Sequence, residues 1–111
     1  MTTVDELCEA IATVGVPWTN AELGRGDEDF APPYIVIRKS GGFTSGANDM
    51  TWCAIAEYDI ELYTIHRNYG LERTVTDALD EAGIYYSDGG NWPLDTEGLF
   101  EAVMTVTVRE N

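Results

Sequence analysis

The stretch Trp52-Cys53-Ala54-Ile55-Ala56-Glu57-Tyr58-Asp59-Ile60-Glu61-Leu62-Tyr63 decides the fold. Its even positions carry Trp52, Ala54, Ala56, Tyr58, Ile60 and Leu62, an apolar row at period two. The odd positions begin apolar with Cys53 and Ile55 and turn acidic with Glu57, Asp59 and Glu61. Successive side chains of a strand point to opposite faces, so this is a half-buried antiparallel strand with a core face and a polar face. The same alternation returns near the end of the chain. There Phe100, Ala102, Met104, Val106 and Val108 read as inward, and Glu101, Thr105, Thr107 and Arg109 as outward.

Upstream, Pro32-Pro33 sets an extended entry into the β-branched run Tyr34-Ile35-Val36-Ile37-Arg38, a third strand. Ser40 to Asp49 is rich in Gly and Ser and reads as a long loop, whose functional form is an arm reaching a neighbour. Val4, Leu7, Cys8, Ile11 and Val14 fall at helical spacing, with a Thr3/Glu6 capping box before them and Gly15 and Pro17 after, so a helix is expected over residues 3–14. Val16-Pro17-Trp18-Thr19 suits a short edge strand, and residues 22–30 a loop. Downstream, Asn68 caps a second helix with the stripe Leu71, Val75, Ala78, Leu79, Ala82 and a stop at Gly83. Its terminal acids Asp80 and Glu81 oppose the helix dipole, so packing must hold it. Ile84-Tyr85-Tyr86 reads as a strand, Asp88-Gly89-Gly90-Asn91 as a tight turn and Trp92-Pro93 as connection. The expected class is α+β: two helices packed on a mostly antiparallel or mixed sheet of four to five strands, in a single domain over residues 1–111.

Apolar residues make up 44% of the chain and aromatic residues 11%, enough for one thin core that a partner subunit would help to cover. The acidic start Met1-Thr2-Thr3-Val4-Asp5-Glu6 lacks the flank and apolar run of a secretory signal, and no run is long enough for a membrane span. Synthesis and use in a cytoplasm, or release by lysis, are therefore expected, and under reducing conditions Cys8 and Cys53 fit two thiols better than a disulfide. Six basic residues against 20 acidic ones leave a net charge of −14. Such a surface repels a phosphate backbone, which argues against sequence-specific nucleic-acid binding. A basic protein partner suits that charge, and so does a wall past which DNA slides.

No set of residues suggests catalysis. His66 is the lone histidine and sits between a strand and a helix cap, with no nucleophile motif anywhere in the chain. Two cysteines and one histidine give no zinc spacing, and the glycines at 41, 42 and 46 lead into a strand with no Gly-Lys-Ser/Thr, so no phosphate loop is present. No metal or cofactor is expected. Glu57, Asp59 and Glu61 lie about 7 Å apart on one strand face. That row reads as a solvated face paired across strands with Arg38 or Lys39, or as a surface facing a lumen or a neighbouring subunit. Phe43, Asn48 and Asp49, in the presumed loop, are the candidates for contact with another subunit or partner. Trp18, Trp52 and Trp92 lie in separate elements and suit core or interface anchors.

The succession Pro32-Pro33-Tyr34-Ile35-Val36, Ile60-Glu61-Leu62-Tyr63-Thr64, Leu71-Glu72 and Gly83-Ile84-Tyr85-Tyr86 resembles a family of small proteins from the tail-assembly region of siphophages and prophages, the tail-completion, tail-terminator or head–tail joining proteins. The resemblance spans roughly residues 4–108, with departures at Ile65-His66-Arg67-Asn68 and Thr96-Glu97-Gly98. It implies an α+β fold and a structural, non-enzymatic role. Such proteins form a ring, typically a hexamer, that caps the tail tube and joins it to the head connector. Expected partners are copies of itself, the tail tube protein and the connector protein, within a virion assembled in the bacterial cytoplasm; isolated chains of this kind can be monomeric. Two other readings fit the residues: an acidic binding module such as a DNA-mimic inhibitor of a nucleic-acid enzyme, and a small enzyme built on the Glu57–Asp59–Glu61 row. Another minor tail or connector protein of similar fold is the nearest rival within a phage.

Overall fold

The computed structural model describes residues 3–21, 31–47, 50–94 and 98–109, of which 42–47 and 50–54 by backbone alone. The elements run α1 (Val4–Ala12), β1 (Trp18–Asn20), β2 (Tyr34–Ala47), β3 (Met50–Ile65), α2 (Tyr69–Glu81), β4 (Tyr86–Pro93) and β5 (Leu99–Arg109). They form the expected α+β arrangement, two helices on a mixed five-stranded sheet of order β1-β2-β3-β5-β4. Only β1 is parallel to its neighbour, pairing with residues 35–37 of β2.

Both helices lie on one face of the sheet. Leu7 and Ile11 of α1 and Val75 and Leu79 of α2 close over Ile35, Ile37, Ile60, Leu62, Val106 and Val108, all essentially inaccessible to water. The even row of β3 from Ala56 to Leu62 is thus the core face that its alternation predicts. Each helix begins where its cap chemistry says it should. Thr3 Oγ1 accepts the Glu6 amide at 3.3 Å and donates to the Glu6 carboxylate at 3.2 Å; Asn68 Oδ1 accepts the Leu71 amide at 3.0 Å. Gly15 and Gly83, both at positive φ, follow the helix ends.

Two expectations are corrected. Residues 40–47 are not a loop: β2 continues through them, paired with β3 as far as Ala47 opposite Met50. Local composition disfavours a strand here, but the ladder offered by β3 overrides it, and a bulge after Lys39 absorbs the irregularity. The segment 86–93 is likewise one strand rather than a strand, a turn and a connection. Its Asp-Gly-Gly makes a bulge between Asp88 and Gly90, with Asp88 Oδ1 accepting the Gly90 amide at 2.8 Å. Turn residues serve a bulge for the same reason that they serve a turn, since both need backbone conformations that Gly adopts cheaply.

The β2–β3 hairpin outruns the rest of the sheet. Pairing of β3 with β5 ends at Ile55 opposite Arg109, and β1 leaves β2 after Ile37. Beyond these points, among the described residues, the two strands have only each other. The molecule measures 52 × 28 × 21 Å accordingly.

Candidate functional site

The face of the sheet away from the helices carries the acidic row. Here β2 contributes Tyr34, Val36 and Arg38; β3 contributes Glu57, Asp59, Glu61 and Tyr63; β5 contributes Glu101, Val103 and Thr105. Register sets the neighbours: Val36 faces Glu61, Arg38 faces Asp59, Tyr63 faces Glu101, and Asp59 faces Thr105.

The three acids of the predicted row have different surroundings. Glu57 is exposed and Asp59 half-buried, its Oδ1 accepting the Thr105 hydroxyl at 3.0 Å. Glu61 is only 9% exposed, which corrects the reading of the whole row as solvated. Its Oε1 accepts Arg38 Nε at 3.3 Å and the Tyr63 hydroxyl at 3.1 Å. The cross-strand pairing of the row with Arg38 is therefore real, although Arg38 reaches past the directly opposite Asp59 to the diagonal Glu61. Tyr63 stacks on Tyr34 with ring centroids 4.9 Å apart, and Glu61 itself lies between Val36 and Val103 on the neighbouring strands.

Burial pushes the Glu61 carboxyl up, with Arg38 and the Tyr63 hydroxyl pulling against it. Burial also pushes the Tyr63 phenol up, and its hydrogen bond to Glu101 adds to the effect. Glu101 is only 8% exposed and is a residue of this cluster that alternation alone assigned to the wet side. Tyr63 and Glu101 become visible as partners only once register is known.

The sign of the Glu61 shift gives a prediction. With a folded pKa above the ordinary 4.5, the folded chain holds more protons than the unfolded chain in the interval just above 4.5. Stability contributed by this group is therefore present below that value and is lost as pH rises through the folded pKa. Glu61→Gln has no such step. The melting temperature of the variant minus that of the parent should rise between pH 4.5 and 7, the ordinary 4.5 marking the start of the interval. A difference that stays flat across it removes the assignment.

Other candidate residues are placed as follows. Asn48 and Asp49 lie outside the described residues, as does the Phe43 side chain; the Phe43 backbone sits in β2 opposite Ile55. His66 is exposed, at φ 59° in the link after β3, with its amide donating to the Gly98 carbonyl at 2.9 Å. Cys8 is a half-buried free thiol whose pKa burial pushes up, and its Sγ accepts from Asn20 Nδ2 at 3.8 Å; the Cys53 side chain lies outside the described set. Trp18 packs against the core, Trp92 is partly exposed on β4, and the Trp52 side chain is outside the described set.

A cleft of about 240 Å³ opens between α2 and β4, lined by Arg67, Arg73, Thr76, Tyr86, Asp88 and Met104 among others. One of its two arginines is already engaged. Arg67 bonds Glu72 and Asn91 and lies over the rings of Tyr69 and Phe100. Among the described residues no three His, Cys, Asp or Glu side chains converge as a metal site, and no helix is long and apolar enough to cross a membrane. Neither the protein-family models nor the curated proteins compared with the chain give a match.

Proposed function

We propose that this chain is a structural protein of a bacteriophage or prophage, one that forms a ring at the end of the tail tube, stops tube growth and joins the tube to the head connector. The observation that carries the reading is the shape. A small body holding its core between two helices and a sheet extends a two-stranded arm whose strands, among the described residues, pair only with each other. An arm of this kind has a use in an assembly and none around a small substrate. The polar clusters agree with it. Glu61, Tyr63 and Arg38 are tied to one another, and Arg67 is tied to Glu72 and Asn91. Side chains so engaged stiffen a wall. The resemblance of the Pro32–Val36, Ile60–Thr64 and Gly83–Tyr86 segments to tail-completion proteins points the same way.

On this reading the acidic face borders the channel. A ring of six copies multiplies the −14 charge sixfold, and a negative wall lets DNA pass without binding it. A basic channel in the assembled ring would sink that assignment. The row Glu57–Asp59–Glu61 also favours a second reading, an acidic module that occupies a basic groove on a nucleic-acid enzyme. Another minor tail or connector role is the nearest rival.

The test is to delete the gene from the phage or prophage that encodes it, induce, and image the particles by negative-stain electron microscopy. Full heads beside unattached tails of abnormal length are expected. Normal virions in normal yield would overturn the structural role and leave the acidic module in the lead.

A further inference from the structure

Charge is sparse along the outer part of the hairpin. No Asp, Glu, Lys or Arg occurs between Ser40 and Ala47 or between Met50 and Ala56, in a chain of net charge −14. With Asp49 between them the seventeen residues 40–56 carry a single charge, so the arm approaches another copy with little repulsion. Among the described residues it also carries an open edge. Among the described residues nothing pairs with the outer side of β2 beyond Ile37. Natural proteins guard long exposed edges with lysine, proline or inward charges, and 40–47 has none of these. An unguarded edge of this length is tolerated when a partner strand covers it.

The other border of the sheet supplies a strand of matching length. β4 is the outermost strand on the side opposite β1. Residues 40–47 and 86–93 each span roughly 23 Å. Two of the largest exposed apolar side chains bracket β4, Tyr85 at 83% and Trp92 at 42% exposure. Aromatic residues left in water at the ends of an edge strand are typical anchors of a protein interface. The bulge at Gly89 bends this edge and restricts the registers that a partner can take.

We infer that the outer edge of β2 over Ser40–Ala47 adds as a strand to the β4 edge of a second copy of this chain, between Tyr85 and Trp92, so that one sheet continues from copy to copy. Donor and acceptor edges differ, which makes the contact head-to-tail, the type that closes rings. This rests on the ring reading above for its biological use, but not for its chemistry. Pairing of two arms with each other would instead give a closed dimer.

The test uses the full chain and two variants. In the first, residues 44–54 are replaced by Asn-Gly, a two-residue turn that joins Phe43 directly to Ile55, which already face each other. The second is Tyr85→Glu combined with Trp92→Glu. Sedimentation velocity from about 10 μM to about 1 mM should show the parent associating beyond a dimer and each variant alone staying monomeric, an apparent Kd at least about 100-fold weaker. Mixed together, the two variants still hold one intact donor and one intact acceptor, and they should form a one-to-one dimer and nothing larger. Hydrogen exchange on the parent adds a readout that needs no variant: amides in 40–47 and in 86–93 should gain protection together as concentration rises. A parent monomeric throughout the range, an arm-shortened chain that associates like the parent, or a mixture that stays monomeric would each overturn the inference. So would protection confined to the arm, the signature of arm-to-arm pairing. Deletion that leaves virions normal while the purified chain still assembles through these edges would remove the tail role and leave the contact standing.

Discussion

Ile60→Ala is expected to lower the free energy of unfolding by about 3.5 kcal/mol. Ile60 lies at the middle of β3, the central strand of the five, between Ile37 on β2 and Met104 on β5, and is inaccessible to water. The substitution removes three carbons from the centre of the core. Neighbours anchored in three strands cannot move in to fill the gap, so the cost includes a cavity as well as lost transfer energy. For a domain of this size the melting temperature should fall by roughly 15 °C. Glu57→Ala is the control, three residues away on the opposite, exposed side of the same strand. It should change stability by no more than about 0.5 kcal/mol. Similar effects at the two positions would mean that the face assignment of β3, and with it the fold, is wrong.

That contrast rests on a pattern visible in the sequence, and it shows where such patterns end. Alternation in β3 and β5 identified the core face because one side of the sheet is sealed by helices, and a sealed face tolerates few polar residues. Both helices announced themselves through Thr3 and Asn68, whose cap bonds are local and need no tertiary context. Residues 40–47 were illegible for the opposite reason. Nothing in Ser-Gly-Gly-Phe-Thr-Ser-Gly-Ala favours a strand by itself, and the strand exists because β3 supplies its hydrogen-bond partners. Asp88-Gly89-Gly90 gave the right conformational cue and the wrong topology, since a bulge and a turn draw on the same residues. Glu61 does not read as buried because its surroundings come from other strands: Val36 and Val103 on either side, and Arg38 reaching diagonally. Those are consequences of register, which one strand's sequence does not contain. The same gap hid Glu101 until Tyr63 was placed opposite it.

Gly90→Ala is expected to cost about 2–3 kcal/mol, and its effect is concentrated on the edge that the proposed subunit contact uses. Two independent penalties combine there. Gly90 sits at φ 105°, where a side chain is strained regardless of space. A Cβ at this position would also stand 2.8 Å from Cζ3 of Trp92, so the indole must leave its seat over the bulge. Gly15→Ala separates the two terms, because Gly15 has a comparable φ of 91° with nothing within 4 Å of the added carbon. It should cost about 1 kcal/mol, from backbone strain alone. The excess at Gly90 then measures how firmly the bulge holds Trp92, and the tryptophan emission of the folded variant should shift as that ring moves. If the two alanine variants prove equally stable and emit alike, Trp92 is not seated on Gly90. The acceptor edge then lacks a fixed anchor, and strand addition at β4 would have to draw its specificity from Tyr85 and the backbone ladder instead.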